Sequence, residues 1–127
     1  VFAGHVHNYQ RTYRLTFFLH NLGSQLVAGA NNIKIGKVVN GRWILDKNFD
    51  GKRKTKPNGV VYITTGAGGQ GLYNPEQQKD TDSWQKFTTK FVSNVHSFTA
   101  MDVNGGVLTL KQVDISGKEV DRIKITK

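Results

Sequence analysis

The chain of 127 residues contains no cysteine. Disulfides, thiolate zinc sites and cysteine nucleophiles are therefore excluded together, although the compartment is left open. No Asn-x-Ser/Thr tripeptide occurs, so nothing marks a glycosylated surface. Apolar runs fall far short of a membrane span, which argues against a membrane partner. The first residues do not combine a charged segment with an apolar signal region. Acidic residues are scarce, nine against eighteen Lys and Arg, for a net charge of +9. That balance fits a basic solvated surface, a nucleic-acid binder, or an anionic substrate such as a phosphate ester. The densest basic cluster, Lys52-Arg53-Lys54-Thr55-Lys56, sits between Asn-Phe-Asp-Gly and Pro-Asn-Gly and reads as an exposed turn. No aromatic residue interleaves it, which weighs against a single-strand stacking platform and against nucleic acid.

The length is that of one domain with one core. The clearest pattern lies in the last third. Val95–Val103, Val107–Asp114 and Val120–Ile125 are strand-like, and Asn104-Gly105-Gly106 and Ser116-Gly117-Lys118 turn the chain between them. They predict a three-stranded antiparallel meander with one wet face. Gly59-Val60-Val61-Tyr62-Ile63-Thr64-Thr65 is a continuous apolar and β-branched run, expected as a buried strand entering the Gly66–Gly71 loop. Lys34–Val39 and Arg42–Asp46 predict a hairpin around Asn40-Gly41. Asn74-Pro75-Glu76 would open one short helix with Pro75 at its first position. Segments 12–32 and 74–94 read as irregular, and no repeat is visible. The chain is expected to be mainly β.

Two motifs invite chemical readings. Gly66-Ala67-Gly68-Gly69-Gln70-Gly71 fits G-x-G-x-x-G behind a strand. A dinucleotide fingerprint also needs a helix at its last glycine, and Pro75 stops one there. The spacing of a phosphate loop is met too, but Leu72-Tyr73 stands where Lys-Ser/Thr is required. A glycine turn lining a cleft is the better account. The second motif is His5-Val6-His7. On extended backbone, side chains at i and i+2 share a face, roughly 6.5 Å apart, so two imidazoles could converge on one metal or reach two. Gly4 would let the chain turn sharply before them. Taken alone, such a pair is more often two exposed or hydrogen-bonded histidines than a metal site.

Gly4-His5-Val6-His7-Asn8-Tyr9-Gln10-Arg11 closely resembles the Gly-His-x-His-x-Tyr-x-Arg motif that ends the catalytic core of the purple acid phosphatase branch of calcineurin-like metallophosphoesterases. Gly59–Gly69 resembles the family's Val-Tyr-Ile-Thr-x-Gly-x-Gly-Gly strand and loop, and Phe91–Lys127 is similar to the C-terminal strands of bacterial members. The resemblance implies that His5 binds a divalent metal and His7 the other ion of the pair, Fe with Zn, Mn or a second Fe. The two metals would clamp a phosphate mono- or diester and lower the pKa of a bridging water that attacks phosphorus in line. Gly4, Tyr9 and Arg11 match motif positions, and their expected part is to support the histidine loop. Gly66, Gly68 and Gly69 are expected to line the same cleft. The resemblance also implies an exported, periplasmic or extracellular protein.

The departures matter as much. A dinuclear site needs about seven protein ligands. The family supplies the rest from Asp-x-His, Gly-Asp-x-x-Tyr and Asn-His segments ahead of the motif, and this sequence contains no Asp-x-His, Gly-Asp or Asn-His. Residues 1–127 are thus expected to form the C-terminal segment of one two-layer α/β-sandwich metallophosphoesterase domain, without its N-terminal ligand-bearing part. Alone, the chain is expected to be inactive and to hold weakly, or not at all, the metals of the complete domain. Its expected partners are the missing part, a phosphate-ester substrate, and a second copy through a strand edge exposed near Val1. His20, in an apolar run, reads as a hydrogen-bonded semi-buried residue. His96 reads as a structural or cleft-edge residue, and Trp43 and Trp84 as packing residues. The rival readings are a β-rich binding or assembly module and a basic nucleic-acid binder.

Overall fold

A computed structural model gives the fold and describes residues 1–19, 26–27, 38–39 and 41–127. In chain order the strands are β1 (Phe2–Ala3), β2 (Tyr9–Thr12), β3 (Arg14–Leu19), β4 (Leu26–Val27), β5 (Val38–Val39), β6 (Gly41–Asp46) and β7 (Ile63–Thr65). Then come β8 (Thr88–Val92), β9 (Ser97–Asn104), β10 (Val107–Asp114) and β11 (Glu119–Thr126). The helical content is two short 3-10 turns, Pro75–Gln78 and Thr81–Ser83. The described chain is mostly β, and all its strand pairs except one are antiparallel.

The expected meander forms, in the order β11-β10-β9. Its turns fall on the glycines, where Gly105 and Gly117 adopt positive φ. One irregularity sits in it. Gln112 faces Asp121 and Val113 faces Glu119, so Val120 is an extra residue, a bulge in β11. The bulge keeps Val120 packed toward the core and puts Asp121, Ile123 and Ile125 on one face.

The second sheet has the order β1-β7-β2-β8, with β1 parallel to β7 and the other neighbours antiparallel. The meander packs its inner face on this sheet. Tyr9, Val61, Ile63 and Val92 meet Leu110 and Ile123, and Phe49 closes the cluster. The loop carrying Phe49 lies tight against β11. A Cβ on Gly51, whose φ is +67°, would come within 2.7 Å of the Ile123 Cβ, so only glycine allows this approach.

Three expectations change. The run 59–65 is not wholly buried: Val61 and Ile63 are, whereas Val60 and Tyr62 are each 39% exposed. Only Ile63–Thr65 of the run is regular strand, and exposure alternates along the segment because one face of it is open. Segments 12–32 and 74–94 are not wholly irregular, since they hold β3 and β8. The described partner of β6 is β3, with Phe17 opposite Trp43, rather than the strand before Asn40. Residues 34–37 and Asn40 of that expected hairpin lie outside the described residues, as does His20. The turn at Asn74 appears as expected, with Pro75 opening a 3-10 helix. At the edge of the second sheet, Val1 and Phe2 are 64% and 43% exposed. Among the described residues no helix is long and apolar enough to cross a membrane.

Candidate functional site

The histidine motif links β1 to β2 through a bent segment rather than an extended one. Val6 N–H donates to the Gly4 carbonyl and Asn8 N–H to the Val6 carbonyl, both at 2.8 Å. These two-residue closures kink the chain twice. The same-side argument for i and i+2 therefore does not apply here. The residue with a left-handed backbone is His5 itself, at φ 70°, and not Gly4. A non-glycine residue there costs on the order of 1 kcal/mol, a cost of the kind that gathers at functional sites. His5 is exposed.

His7 is half-buried and held by three contacts. Its Nδ1 lies 2.8 Å from the Gly71 carbonyl oxygen. Its ring stacks on Tyr73, centroids 4.2 Å apart at 19°, and its own carbonyl accepts from Tyr73 N–H at 3.0 Å. A carbonyl only accepts, so Nδ1 is the donor here, and in the neutral ring Nε2 keeps its lone pair. Histidine ligands of metals are oriented in this way.

The glycine loop lies directly against the histidine motif. Gly66 N–H donates to the Asn8 carbonyl at 3.1 Å. A Cβ on Gly66 would lie 2.1 Å from the Val6 carbonyl oxygen, so the two loops touch backbone to backbone. Downstream, the Ala67 carbonyl accepts from Ser97 N–H at 3.1 Å, and the Gln70 carbonyl lies 3.0 Å from His96 Nε2. His96 and His7 thus grip consecutive carbonyls of one loop. Gly68 and Gly69 have open space around them. Thr65 Oγ1, at the loop's entry, lies 2.7 Å from Thr99 Oγ1, which reaches the buried Gln112 amide.

Behind the loops, Tyr9 and Arg11 point to the same side of β2 and meet Asp121 of β11. The Tyr9 hydroxyl donates to Oδ2 at 2.8 Å, and Arg11 donates through Nε to Oδ2 at 2.6 Å and through Nη2 to Oδ1 at 3.0 Å. Burial works against the Asp121 carboxylate, but the Arg11 hydrogen bonds and charge outweigh it and hold its pKa below the usual range. Burial first, then the Asp121 charge, pushes the Tyr9 phenol well above its ordinary value. Burial opposes the Arg11 cation too, and Asp121 more than offsets it. All three groups keep their ordinary protonation at neutral pH. The motif strand is thereby tied to the last strand of the meander.

The donor set for a metal is limited. His5 and His7 offer two imidazoles, suited to zinc or iron. Among the described residues no group of three or more His, Cys, Asp or Glu could hold an ion. His96 belongs to the loop contact and not to a ligand cluster. Trp84 donates through Nε1 to the Gln77 carbonyl at 2.7 Å and stacks on Phe91, and Trp43 packs on Phe17. Asp121 and Tyr73 were not anticipated from sequence. Asp121 had a signal: an acidic residue in step with Ile123 and Ile125 on a strand packed against the core.

The family described as iron/zinc purple acid phosphatase-like protein C matches residues 59–122. Those residues run from the approach to β7 through the glycine loop and His96 into β11. No curated protein and no solved structure matches the chain. The match covers half of the sequence and includes Gly71, Tyr73 and Asp121, the partners of the motif residues. The chain belongs to the iron/zinc purple acid phosphatase-like protein C family, as the C-terminal portion of a purple acid phosphatase-like metallophosphoesterase.

Proposed function

We propose that this chain supplies the last two imidazole ligands, His5 and His7, to a dinuclear phosphoesterase centre completed by other parts of the parent domain. The observation that carries this reading is the setting of His7. Its Nδ1 is engaged by the Gly71 carbonyl and its ring by Tyr73, so Nε2 is fixed and free to donate. When bound, the metal pair supplies Lewis-acid activation of the phosphate ester and of water. The chain's own residues do the positioning. Gly66 lets the two loops close together, His96 steadies the loop at Gln70, and the Tyr9–Arg11–Asp121 cluster anchors the strand that follows the histidines.

Two imidazoles fill at most half of a tetrahedral zinc shell. The isolated chain is therefore expected to hydrolyse no phosphate ester. The exposed Val1 and Phe2 at the edge of β1 support a further strand there, from elsewhere in the parent α/β sandwich or from a second copy. Zinc titration by calorimetry tests the reading. Weak zinc binding, reduced in His5→Ala and in His7→Ala, is the expected result. Two tight sites, or hydrolysis of p-nitrophenyl phosphate by the chain alone, would sink it.

A further inference from the structure

Away from the histidine loop lies a second concave site, a cleft of about 300 Å³ walled by the 47–52 loop, the end of β2 and β11. None of residues 4–8 or 66–71 lines it. Its charged side chains are Arg11, Lys47, Asp50, Lys52, Asp121 and Arg122. Asp121 is engaged from within the protein on both carboxylate oxygens, and Asp50 on Oδ1. Asp121 accepts from Tyr9, from Arg11 twice and from the Arg122 backbone N–H. Asp50 Oδ1 accepts the backbone N–H groups of Lys52, Arg53 and Lys54 at 2.8, 2.9 and 2.9 Å. Arg11 is paired with Asp121 and Arg122 with Glu119.

What remains is Lys47 and Lys52. Neither forms an ion pair among the described residues, and the Lys47 ammonium lies 5.7 Å over the Tyr13 ring at the cleft wall. Arg53, Lys54 and Lys56 follow in the same exposed segment and add to the positive potential. The wrapping of Asp50 by three amides fixes the turn that carries Lys52, so its ammonium is attached to a preorganised backbone. With Asp121 and the two arginines already paired, the two ammonium groups outside any ion pair leave the cleft an excess of positive charge, and it favours anions because each lysine contributes a point charge without demanding planar geometry. One exposed lysine–anion contact is worth little, so a ligand must engage both. The volume lies at the small end of ligand sites.

We infer that this cleft is a separate polyanion site, taking a compact ligand with two or more linked phosphate groups, with Lys47 and Lys52 as its primary contacts. It stands independently of the histidine centre. Calorimetric titration with sodium tripolyphosphate in metal-free buffer, at low and high salt, tests it. One site per chain is expected, weakened by salt and by about tenfold or more in a Lys47→Gln/Lys52→Gln variant. His5→Ala should bind as well as the unsubstituted chain. Lys111→Gln/Lys124→Gln removes the same charge from the meander and should lower affinity far less. No binding, an unchanged affinity in the Lys47/Lys52 variant, an equal loss in the Lys111/Lys124 variant, or loss in His5→Ala would each overturn the assignment. All four side chains are solvent-accessible, so the variants are expected to fold, and circular dichroism checks this.

Discussion

Arg11 and Asp121, 110 positions apart, form a two-pronged ion pair with Nε–Oδ2 at 2.6 Å and Nη2–Oδ1 at 3.0 Å. Each side chain is only about a tenth exposed. The pair joins the strand behind the histidines to the strand that ends the meander, so the site's geometry depends on a contact near the far end of the chain. Asp121→Ala leaves a buried guanidinium and the Tyr9 hydroxyl without their acceptor. Such a break costs about 3–5 kcal/mol. Urea unfolding followed by tryptophan fluorescence should show a lowered midpoint with little change in slope. A loss below about 1 kcal/mol would mean that the cluster does not hold the sheets together.

The same cluster sets the pH limits. Asp121 has a native pKa below its unfolded value of about 4, so its contribution is complete above that value and is lost as pH falls through the native one. Tyr9 is shifted the other way. Its contribution is complete below about pH 10 and is lost as pH rises further, because the unfolded phenol ionises first. Stability measured against pH should therefore fall at both ends. Asp121→Asn should flatten the acid limb and Tyr9→Phe the alkaline one. Limbs unchanged in both variants would assign the pH dependence to other groups.

Gly66 and Gly69 share one loop and should respond oppositely to alanine. At Gly66 the new methyl would meet the Val6 carbonyl oxygen at 2.1 Å, backbone that cannot rotate away, whereas at Gly69 it meets nothing within 4 Å. Gly66→Ala should cost about 1–3 kcal/mol or more and shift the histidine loop. Gly69→Ala should lie within about 0.5 kcal/mol of the unsubstituted chain. Thermal unfolding of the two proteins side by side makes the comparison. Equal midpoints would mean that the two loops are not in contact in solution.

Much of this was readable in the residues. The Gly105 and Gly117 turns and the strands between them follow from turn chemistry and alternation, and the glycine loop follows from a strand entering it. Asp121 shows where reading stopped. Val120 and Ile123 are three apart, which breaks a period of two, and only the bulge at Val120 reconciles both with the core. β3 was hidden because Phe17 and Phe18 are adjacent, and its pairing with β6 across some two dozen residues is a tertiary choice. β8 has β-branched Thr88, Thr89 and Val92 but no glycine or proline at its ends. The histidine loop was legible as a motif and not as a shape, because its bends are two-residue backbone closures, Val6 on Gly4 and Asn8 on Val6, in a segment packed against Gly66. No local pattern announces a carbonyl 64 positions away as the partner of His7.

The two histidines that grip the glycine loop do so through opposite ring nitrogens, Nδ1 for His7 on Gly71 and Nε2 for His96 on Gln70. Carbonyl partners require a proton on each gripping nitrogen. The neutral rings should therefore be opposite tautomers, Nδ1–H at His7 and Nε2–H at His96. Long-range proton–nitrogen NMR in mildly alkaline buffer, where free imidazole is neutral, distinguishes them. Tyr73→Ala removes the ring under His7 and leaves the Gly71 carbonyl in place. His7 should then lose its single tautomer signature and bind zinc about tenfold more weakly, with little change in stability because Tyr73 is 48% exposed. His96 should keep its Nε2–H form in that variant, since its contact lies on the other carbonyl. Zinc affinity unchanged in Tyr73→Ala would mean that the stack does not orient His7, and the Gly71 carbonyl alone would fix the ring.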